Sequence, residues 1–216
     1  EELARAIAAF FTKLILRIEA AGGDIIKFAG DALICIWEER NFRANEVTPG
    51  LLVLHAVHCG FSLASAVEEV SLGGMDTTSL KLHVCVGSGA MELVRVGGAQ
   101  GRWEVYIRGE GYEDACNGID LSTPGEVVVS VASYVSMERH LAGVTNNSPI
   151  QQAKNKAILS GLKESAKRLP TGEPYVKLIG LNVVVPHANL RDVDTNIIPI
   201  KTLLSYCPLS VRYGIQ

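Results

Sequence analysis

The stretch from Gly23 to Trp37, GDIIKFAGDALICIW, decides the fold of this chain. Two strongly apolar runs flank a short Ala-Gly-Asp corner. Apolar runs around a glycine-containing corner are typical of a β-hairpin, here with Gly30 in the turn and Asp31 just past it. The pattern therefore predicts antiparallel strands over residues 24–28 and 32–37, with Asp31 at the exposed end of the hairpin.

Asp31 is a candidate metal ligand. A carboxylate among apolar neighbours is costly to bury without a partner, and a hard cation such as Mg²⁺ prefers carboxylate oxygens. Asp and Gly are also ordinary turn residues, so a solvated turn aspartate is the alternative. The pattern by itself leaves both interpretations open.

Helices and strands alternate along the rest of the chain, with hairpins among the strands. This order predicts an α/β (α+β) sandwich in which helices cover one face of a mostly antiparallel sheet. Ser71 to Thr78 is predicted as a polar loop, and residues 144–174 as a variable insertion or mobile loop with a helix over 151–168. Helices are predicted over residues 2–20, 51–70, 109–121 and 132–141, and strands over 80–86, 91–96, 103–108, 127–131 and 177–186.

Composition limits the class of protein. The 216 residues are 48% hydrophobic and 20% charged, which indicates one folded domain with a substantial core. A net charge of −3 gives no electrostatic reason to expect nucleic acid or an anionic membrane surface. No apolar run reaches the ~18 residues of a membrane span. The five cysteines are scattered and lack C-x-x-C spacing, which favours core thiols in a reducing compartment over a zinc site.

The motif GGDIIKFAGDAL, residues 22–33, closely resembles the metal-binding hairpin of class III nucleotidyl cyclases. Within that family it looks most like the first catalytic half of the bicarbonate-regulated soluble adenylyl cyclases. The resemblance implies a ferredoxin-like fold over residues 1–186 that lacks its N-terminal strand and carries the insertion at 144–174. Residues 187–216 are then expected to form a linker toward a following domain.

The resemblance also implies a reaction and a cofactor. ATP would be converted to cyclic AMP and pyrophosphate with two Mg²⁺ or Mn²⁺ ions per active site. Asp31 would be one of two metal-binding aspartates, the other being expected upstream of Glu1. Lys27 would bind the edge of the adenine, whereas the alternative for Lys27 is a solvated strand lysine.

The helix after Gly109 departs from the family pattern. Complementary cyclase halves carry an Asn and an Arg there, which orient the ribose and neutralise the phosphates. Glu113 and Asn117 stand at these positions, and neither can do the same work, because a carboxylate repels phosphate and an amide carries no charge. We therefore assign no catalytic residue in this half and predict that a second cyclase half, in the same or another chain, is needed as partner.

The resemblance also implies a regulatory anion pocket, in the degenerate twin of the active site, at Lys27, Ile107, Arg108 and Cys116. The related enzymes hold bicarbonate with a lysine and an arginine, and Cys116 occupies the arginine position. With one cation left, the site is predicted to respond weakly to bicarbonate. Arg108 could supply the missing charge only by turning away from the direction that strand alternation gives it.

Two other functions stay open. The chain could be a degenerate cyclase-fold module with a structural or nucleotide-sensing role. A weaker alternative is a relative of the GGDEF-type diguanylate cyclases, suggested by Gly22, Gly23 and Asp24, although the residues that follow argue against it. By resemblance the protein is expected to be cytoplasmic, with a cilium or another intracellular structure as a further option.

Overall fold

The computed structural model describes residues 2–29, 32–43, 47–65, 68–71, 77–143, 149–169, 172, 174–179, 188 and 190. These ranges contain five α-helices and ten β-strands. Two short 3-10 helices span Glu39–Asn41 and Ala99–Gly101. None of the helices within the described ranges combines the length and the apolar character needed to cross a bilayer.

Helix α1 (Glu2–Ala20) forms where the apolar periodicity predicts it. Its inner face is fully buried at Leu14 and Ile18. Gly22 ends the helix, because its φ of +81° lies in the left-handed region that glycine adopts without strain. The Gly22 N–H donates to the Glu19 carbonyl at 2.9 Å, which satisfies one of the last helical oxygens.

Strands β1 (Gly23–Ala29) and β2 (Ala32–Trp37) form the predicted antiparallel hairpin. The pairing runs from Gly23 opposite Trp37 to Ala29 opposite Ala32. The register shifts between Ile25 and Lys27, and such a bulge changes the direction of the side chains that follow it. The indole N–H of Trp37 donates to the Ala21 carbonyl at 3.0 Å, which ties the base of the hairpin to the end of α1.

Helix α2 (Pro49–Ala64) is shorter than predicted. The prediction of a helix to residue 70 is wrong, because β3 (Glu68–Ser71) pairs antiparallel with β4 (Thr77–Leu80). The polar loop predicted over 71–78 is therefore partly strand, while residues 72–76 lie outside the described ranges. Apolar residues beyond Ala64 continue the helical spacing. The chain nevertheless forms a strand there, in which β-branched residues such as Val70 and Thr78 are paired across the ribbon.

The main sheet has the strand order β5-β8-β10-β9. It is built from β5 (Val84–Val86), β8 (Val127–Ser130), β9 (Ala166–Arg168) and β10 (Tyr175–Leu178). β5 runs parallel to β8, and the other neighbours are antiparallel. The strand predicted over 80–86 is split, since residues 81–83 separate β4 from β5. Of the strand predicted over 177–186, only the part up to Leu178 is strand, and residues 180–186 lie outside the described ranges.

A separate antiparallel ribbon joins β6 (Glu92–Gly97) to β7 (Trp103–Arg108). Helix α3 (Glu110–Ile119) follows directly and packs against β5 and β8. The ribbon strands and this helix confirm the sequence prediction to within two residues at their ends. The ribbon connects β5 of the main sheet to α3. Its second strand, β7, lies beside the first hairpin.

Helices α4 (Val131–Gly143) and α5 (Pro149–Ser165) complete the fold. α5 begins and ends close to the helix predicted at 151–168, and its side chains Ile158 and Leu162 are buried in the main core. Its last residues pass straight into β9. That this stretch is a variable insertion stays a prediction, as does the linker over 187–216, of which only residues 188 and 190 are described.

Two apolar clusters hold these elements together. The larger one joins α2, α4 and α5 to the main sheet around Val57, Val127 and Met137. The second joins α1 to α2 and also contacts β2 and β5, through Leu33, Cys35, Trp37 and Val84. Mixed helices with mostly antiparallel strands confirm the predicted α+β class.

Candidate functional site

A narrow cleft separates the β1–β2 hairpin from β7 and the start of α3. Its volume is about 60 Å³. The cleft receives side chains from four elements, so it exists only in the folded chain. It is lined by Ile26, Lys27, Ile34, Val105, Tyr106, Ile107 and Tyr112.

Lys27 is the cationic side chain of this cleft. Its Nζ lies 5.3 Å from the centroid of the Tyr106 ring, within the range of a cation–π interaction. The same atom is 4.0 Å from Glu104 Oε2, and both side chains are partly exposed, at 42% and 56%. An ion pair this open to solvent contributes little to stability. Lys27 is therefore held loosely in place and remains accessible to a ligand.

The neighbouring residues Ile107 and Arg108 lie in different environments. Ile107 lines the cleft beside Lys27. Arg108 instead donates from Nε at 2.8 Å and from a terminal nitrogen at 2.5 Å to Glu92 Oε2. Glu92 lies directly across the ribbon from Arg108, so this exposed pair is set by the strand register. The structure thus brings Lys27 and Ile107 together and holds the Arg108 guanidinium at Glu92.

Cys116 does not line the cleft itself but interacts with Tyr112, which does. It is an exposed free thiol. A hydrogen bond with this thiol raises the pKa of Tyr112, with smaller contributions from its charge and from burial. Three other thiols differ from it: Cys59 is buried, Cys35 and Cys85 are half-buried, and burial raises the pKa of all three to about 12. These thiols are therefore protonated at neutral pH.

Helix α3 presents an acidic surface. Glu110 and Glu113 lie in its first turn, and no basic residue occurs along its length. Glu113 and Asn117 are both exposed. A helix N-terminus attracts anions, but carboxylates in the first turn oppose a bound phosphate. This helix therefore carries no cation that could neutralise a phosphate.

The predicted metal ligand Asp31 lies outside the described residues. The described residues on either side of the turn, Ala29 and Ala32, pair with each other at the end of the hairpin. Within the described ranges, no group of three or more His, Cys, Asp or Glu side chains is placed to hold an ion.

The sequence did not point to the two aromatic side chains of the cleft, Tyr106 and Tyr112, or to Glu104 beside Lys27. They come from β7 and α3, far along the chain from Lys27. The strand alternation of β7 was visible in the sequence, but nothing local shows that this strand lies beside the first hairpin. The contact is tertiary, so only the folded structure reveals it.

Comparison with known proteins confirms the resemblance to class III nucleotidyl cyclase catalytic domains that the hairpin motif indicated. The chain is similar to adenylate cyclase type 10 of Rattus norvegicus, at 24% identity over 160 residues. The match covers 74% of this chain but 9% of the relative, so the chain spans a small part of that protein. No family model matches the chain.

Solved structures with a partial likeness to this chain include cyclase domains. The adenylyl cyclase CyaB from P. aeruginosa has a TM-score of 0.48 at 12% identity, with 82% of each chain covered. The catalytic core of a rhodopsin-guanylyl cyclase with converted specificity, in complex with ATPαS, has a TM-score of 0.45 at 16% identity. That likeness covers 63% of this chain and 68% of the other.

Proposed function

We propose that this cyclase-fold domain is one half of an adenylate cyclase site, which converts ATP to cyclic AMP and pyrophosphate together with a complementary half. The observation that carries the proposal is the position of Lys27 in the cleft between the hairpin and β7. In the reaction the ribose 3′ oxygen forms a bond to the α-phosphorus. The bond from that phosphorus to the bridging oxygen breaks, pyrophosphate leaves, and the hydroxyl proton passes to solvent.

The preference for ATP follows from the hydrogen-bonding groups of Lys27. An ammonium has three donors and no acceptor. The Watson–Crick edge of adenine offers an acceptor at N1, whereas guanine presents an N–H donor there. A lysine in this cleft therefore favours adenine over guanine. An acceptor such as glutamate at the same position would favour guanine instead.

The need for a second half follows from α3. Glu110, Glu113 and Asp114 give this helix a negative face, so the groups that neutralise the triphosphate have to come from elsewhere. The β6–β7 ribbon is a suitable contact surface for a partner, because large apolar side chains along it face solvent. These side chains are Met91, Leu93, Val96, Trp103 and Tyr106, which are 38–53% exposed.

Asp31 is proposed as a ligand of the Mg²⁺ or Mn²⁺ ions that class III cyclases require. Bound ions would lower the pKa of the attacking hydroxyl and offset the charge of the leaving phosphates. A second aspartate would have to join Asp31 from another part of the protein. A cytoplasmic location belongs to the same proposal.

The alternative is a cyclase-fold module that binds nucleotide without turnover. The acidic α3 favours it, because Glu113 and Asn117 stand where a competent half would carry an amide and a cation. The same feature is expected of the metal-binding half of a two-half enzyme. Activity measurements on the full-length protein separate the two possibilities.

The decisive experiment compares Asp31→Ala with Asp24→Ala in the full-length protein. Both aspartates belong to the same hairpin segment, and Asp24 is exposed at its opposite end. We expect Asp31→Ala to abolish metal-dependent cyclic AMP formation and Asp24→Ala to leave it within about twofold of wild type, since surface changes seldom disturb a site. Lys27→Glu should in addition shift substrate use from ATP toward GTP.

Wild-type turnover in Asp31→Ala would show that Asp31 is an ordinary turn residue. Nucleotide binding without turnover in the wild type would support the module instead. The pocket around Lys27 also has one cation where related enzymes use two, so we propose a weak response to bicarbonate. Titrating cyclase activity against bicarbonate at fixed pH tests this, and strong stimulation would contradict it.

A further inference from the structure

A second and larger cavity adjoins the Lys27 cleft. Its volume is about 570 Å³, within the roughly 300–1,000 Å³ of pockets that bury small organic molecules. It opens between the first hairpin, the 3-10 helix that follows the hairpin, and the β6–β7 ribbon. It is lined by Ile25, Ile26, Arg40, Leu93, Arg95 and Val105. The proposed adenylate cyclase reaction gives no role to this cavity.

The bulge of β1 gives the cavity much of its apolar wall. The register shift between Ile25 and Lys27 makes Ile26 the extra residue of the bulge. Consecutive residues of a regular strand point to opposite faces, but here Ile25 and Ile26 both line the cavity. Two further aliphatic side chains of the ribbon complete the wall. An organic molecule placed here would remove aliphatic surface from water, which favours binding.

The charged side chains that line the cavity are Arg40 and Arg95. One terminal nitrogen of Arg40 donates to Glu38 Oε1 at 2.8 Å, and the Arg40 side chain is 64% exposed. A guanidinium has five N–H donors, so this bond leaves donors of Arg40 for a ligand. Arg95 is exposed, and within the described ranges it makes no hydrogen bond or ion pair. Two guanidinium groups and one carboxylate leave one net positive charge beside the aliphatic wall.

We propose that this cavity binds a small organic acid, that is, a carboxylate attached to an apolar body. Hydrogen bonds from arginine to a carboxylate are charge-assisted and roughly twice as strong as those between neutral groups. One net positive charge matches a singly charged carboxylate better than a doubly charged phosphate ester. The aliphatic wall holds the apolar body, while Arg40 and Arg95 bind the carboxylate. The inference does not depend on the proposed roles of Lys27 and Asp31, so either proposal can fail without the other.

Photolabelling locates the ligand within the full-length protein. Leu93 also belongs to the exposed apolar side chains of the ribbon, so any domain that covers the ribbon has to be present in the test. The probe is 4-azidobenzoate, and the illuminated protein is digested and analysed by peptide mass spectrometry. We expect saturable labelling of peptides that contain residues 25–26, 93 or 105. The neutral 4-azidobenzamide has a similar shape, and its half-saturating concentration should be about tenfold higher.

Four variants test whether the two arginines bind the probe. Arg40→Gln and Arg95→Gln should each raise the half-saturating concentration about three- to tenfold, between the loss of an exposed ion pair and that of a charge-assisted hydrogen bond. Arg139→Gln is the matched control, because it removes an exposed arginine of α4 that does not line the cavity. Lys27→Gln changes the neighbouring cleft. Both of these variants should stay within about twofold of wild type, since solvent screens their charges from the cavity.

Unfolding midpoints are measured first for every variant. Where a glutamine variant unfolds, the methionine variant at the same position replaces it, because methionine keeps an unbranched stem without the charge. Equal half-saturation of Arg40→Gln, Arg95→Gln and wild type would overturn the proposal, as would equal labelling by the benzamide. Absence of label from the hairpin and ribbon peptides would overturn it as well. If Lys27→Gln weakened labelling as strongly as the arginine variants, the acid would bind in the Lys27 cleft and the proposal would be wrong.

Discussion

His55 shows how burial changes an ionisable side chain. It lies on α2 with 6% of its surface exposed, and its ring is 5.2 Å from that of Phe42. Burial, followed by the nearby His58 and His140, lowers the pKa of His55 to about 4. An unfolded histidine has a pKa of 6.5. Between these values the unfolded chain binds the proton more readily, so acid favours unfolding.

We expect the free energy of unfolding to be independent of His55 above pH 6.5 and to fall as the pH drops toward 4. The slope should approach about 1.4 kcal/mol per pH unit. His55→Leu should remove this contribution and flatten the profile. Urea midpoints measured between pH 7.5 and 4.5 test the prediction.

A control variant makes the pH result specific. His83→Gln changes a partly exposed histidine elsewhere in the fold and leaves His55 in place, so it should keep the wild-type slope. If His55→Leu and wild type lost stability in parallel over this range, burial of His55 would not be the cause.

Individual residues of the site differ in whether the sequence could predict them. Lys27 was found from a local motif, because its neighbours in sequence carry the signal. Tyr106 and Glu104 were not found, because about eighty positions separate them from Lys27 and only tertiary packing brings them together. Arg108 pairs with Glu92 across the ribbon, which the alternation of β7 alone does not reveal.

The start of α2 depends on one side chain. The hydroxyl of Thr48 accepts from the Leu51 N–H at 3.2 Å and lies 2.7 Å from His140 Nδ1 on α4. Close helix packing adds to this, because a Cβ on Gly50 would lie 2.2 Å from the Ser136 carbonyl oxygen. Thr48 therefore caps one helix and fixes it to another.

Thr48→Ala should destabilise the protein by about 1–2 kcal/mol, because it removes the cap and the contact with His140. For a chain of this size the melting temperature should fall by about 2–8 °C. Thr48→Ser keeps the hydroxyl and should melt within about 2 °C of wild type. Differential scanning calorimetry measures both, and equal melting of all three proteins would contradict the capping role.

Local patterns predicted some elements and not others for physical reasons. The first hairpin and β7 were predicted because alternation and turn residues lie within a few positions of each other. The β3–β4 ribbon was not, because its strands are polar and follow an apolar helix whose spacing continues past its true end. The parallel pairing of β5 with β8 joins segments about forty residues apart, which no local pattern encodes.

At the scale of the whole molecule, the proposed function predicts that activity depends on a second cyclase half. The chain alone should fold but form no cyclic AMP from ATP with Mg²⁺ or Mn²⁺. The acidic α3 offers no cation to the phosphates, and one well-placed donor is worth about 10²–10³ in rate. Addition of a complementary cyclase half should restore activity.

The folded state of the isolated chain is verified by its cooperative thermal transition before activity is assayed. Cyclic AMP formation by the purified chain, at a level that Asp31→Ala abolishes, would contradict the two-half arrangement. Activity that Asp31→Ala leaves unchanged would point to a contaminating cyclase.

The exposed apolar side chains of the β6–β7 ribbon affect how stable the protein is against aggregation in a cell. An uncovered ribbon exposes unpaired backbone groups and apolar side chains to other chains. Such surfaces commonly initiate aggregation. If the proposed second half covers this ribbon, a copy made in excess of that half would be a substrate for chaperones and proteases. Joining both halves in one polypeptide avoids this hazard, since a short tether keeps the partner at roughly millimolar local concentration.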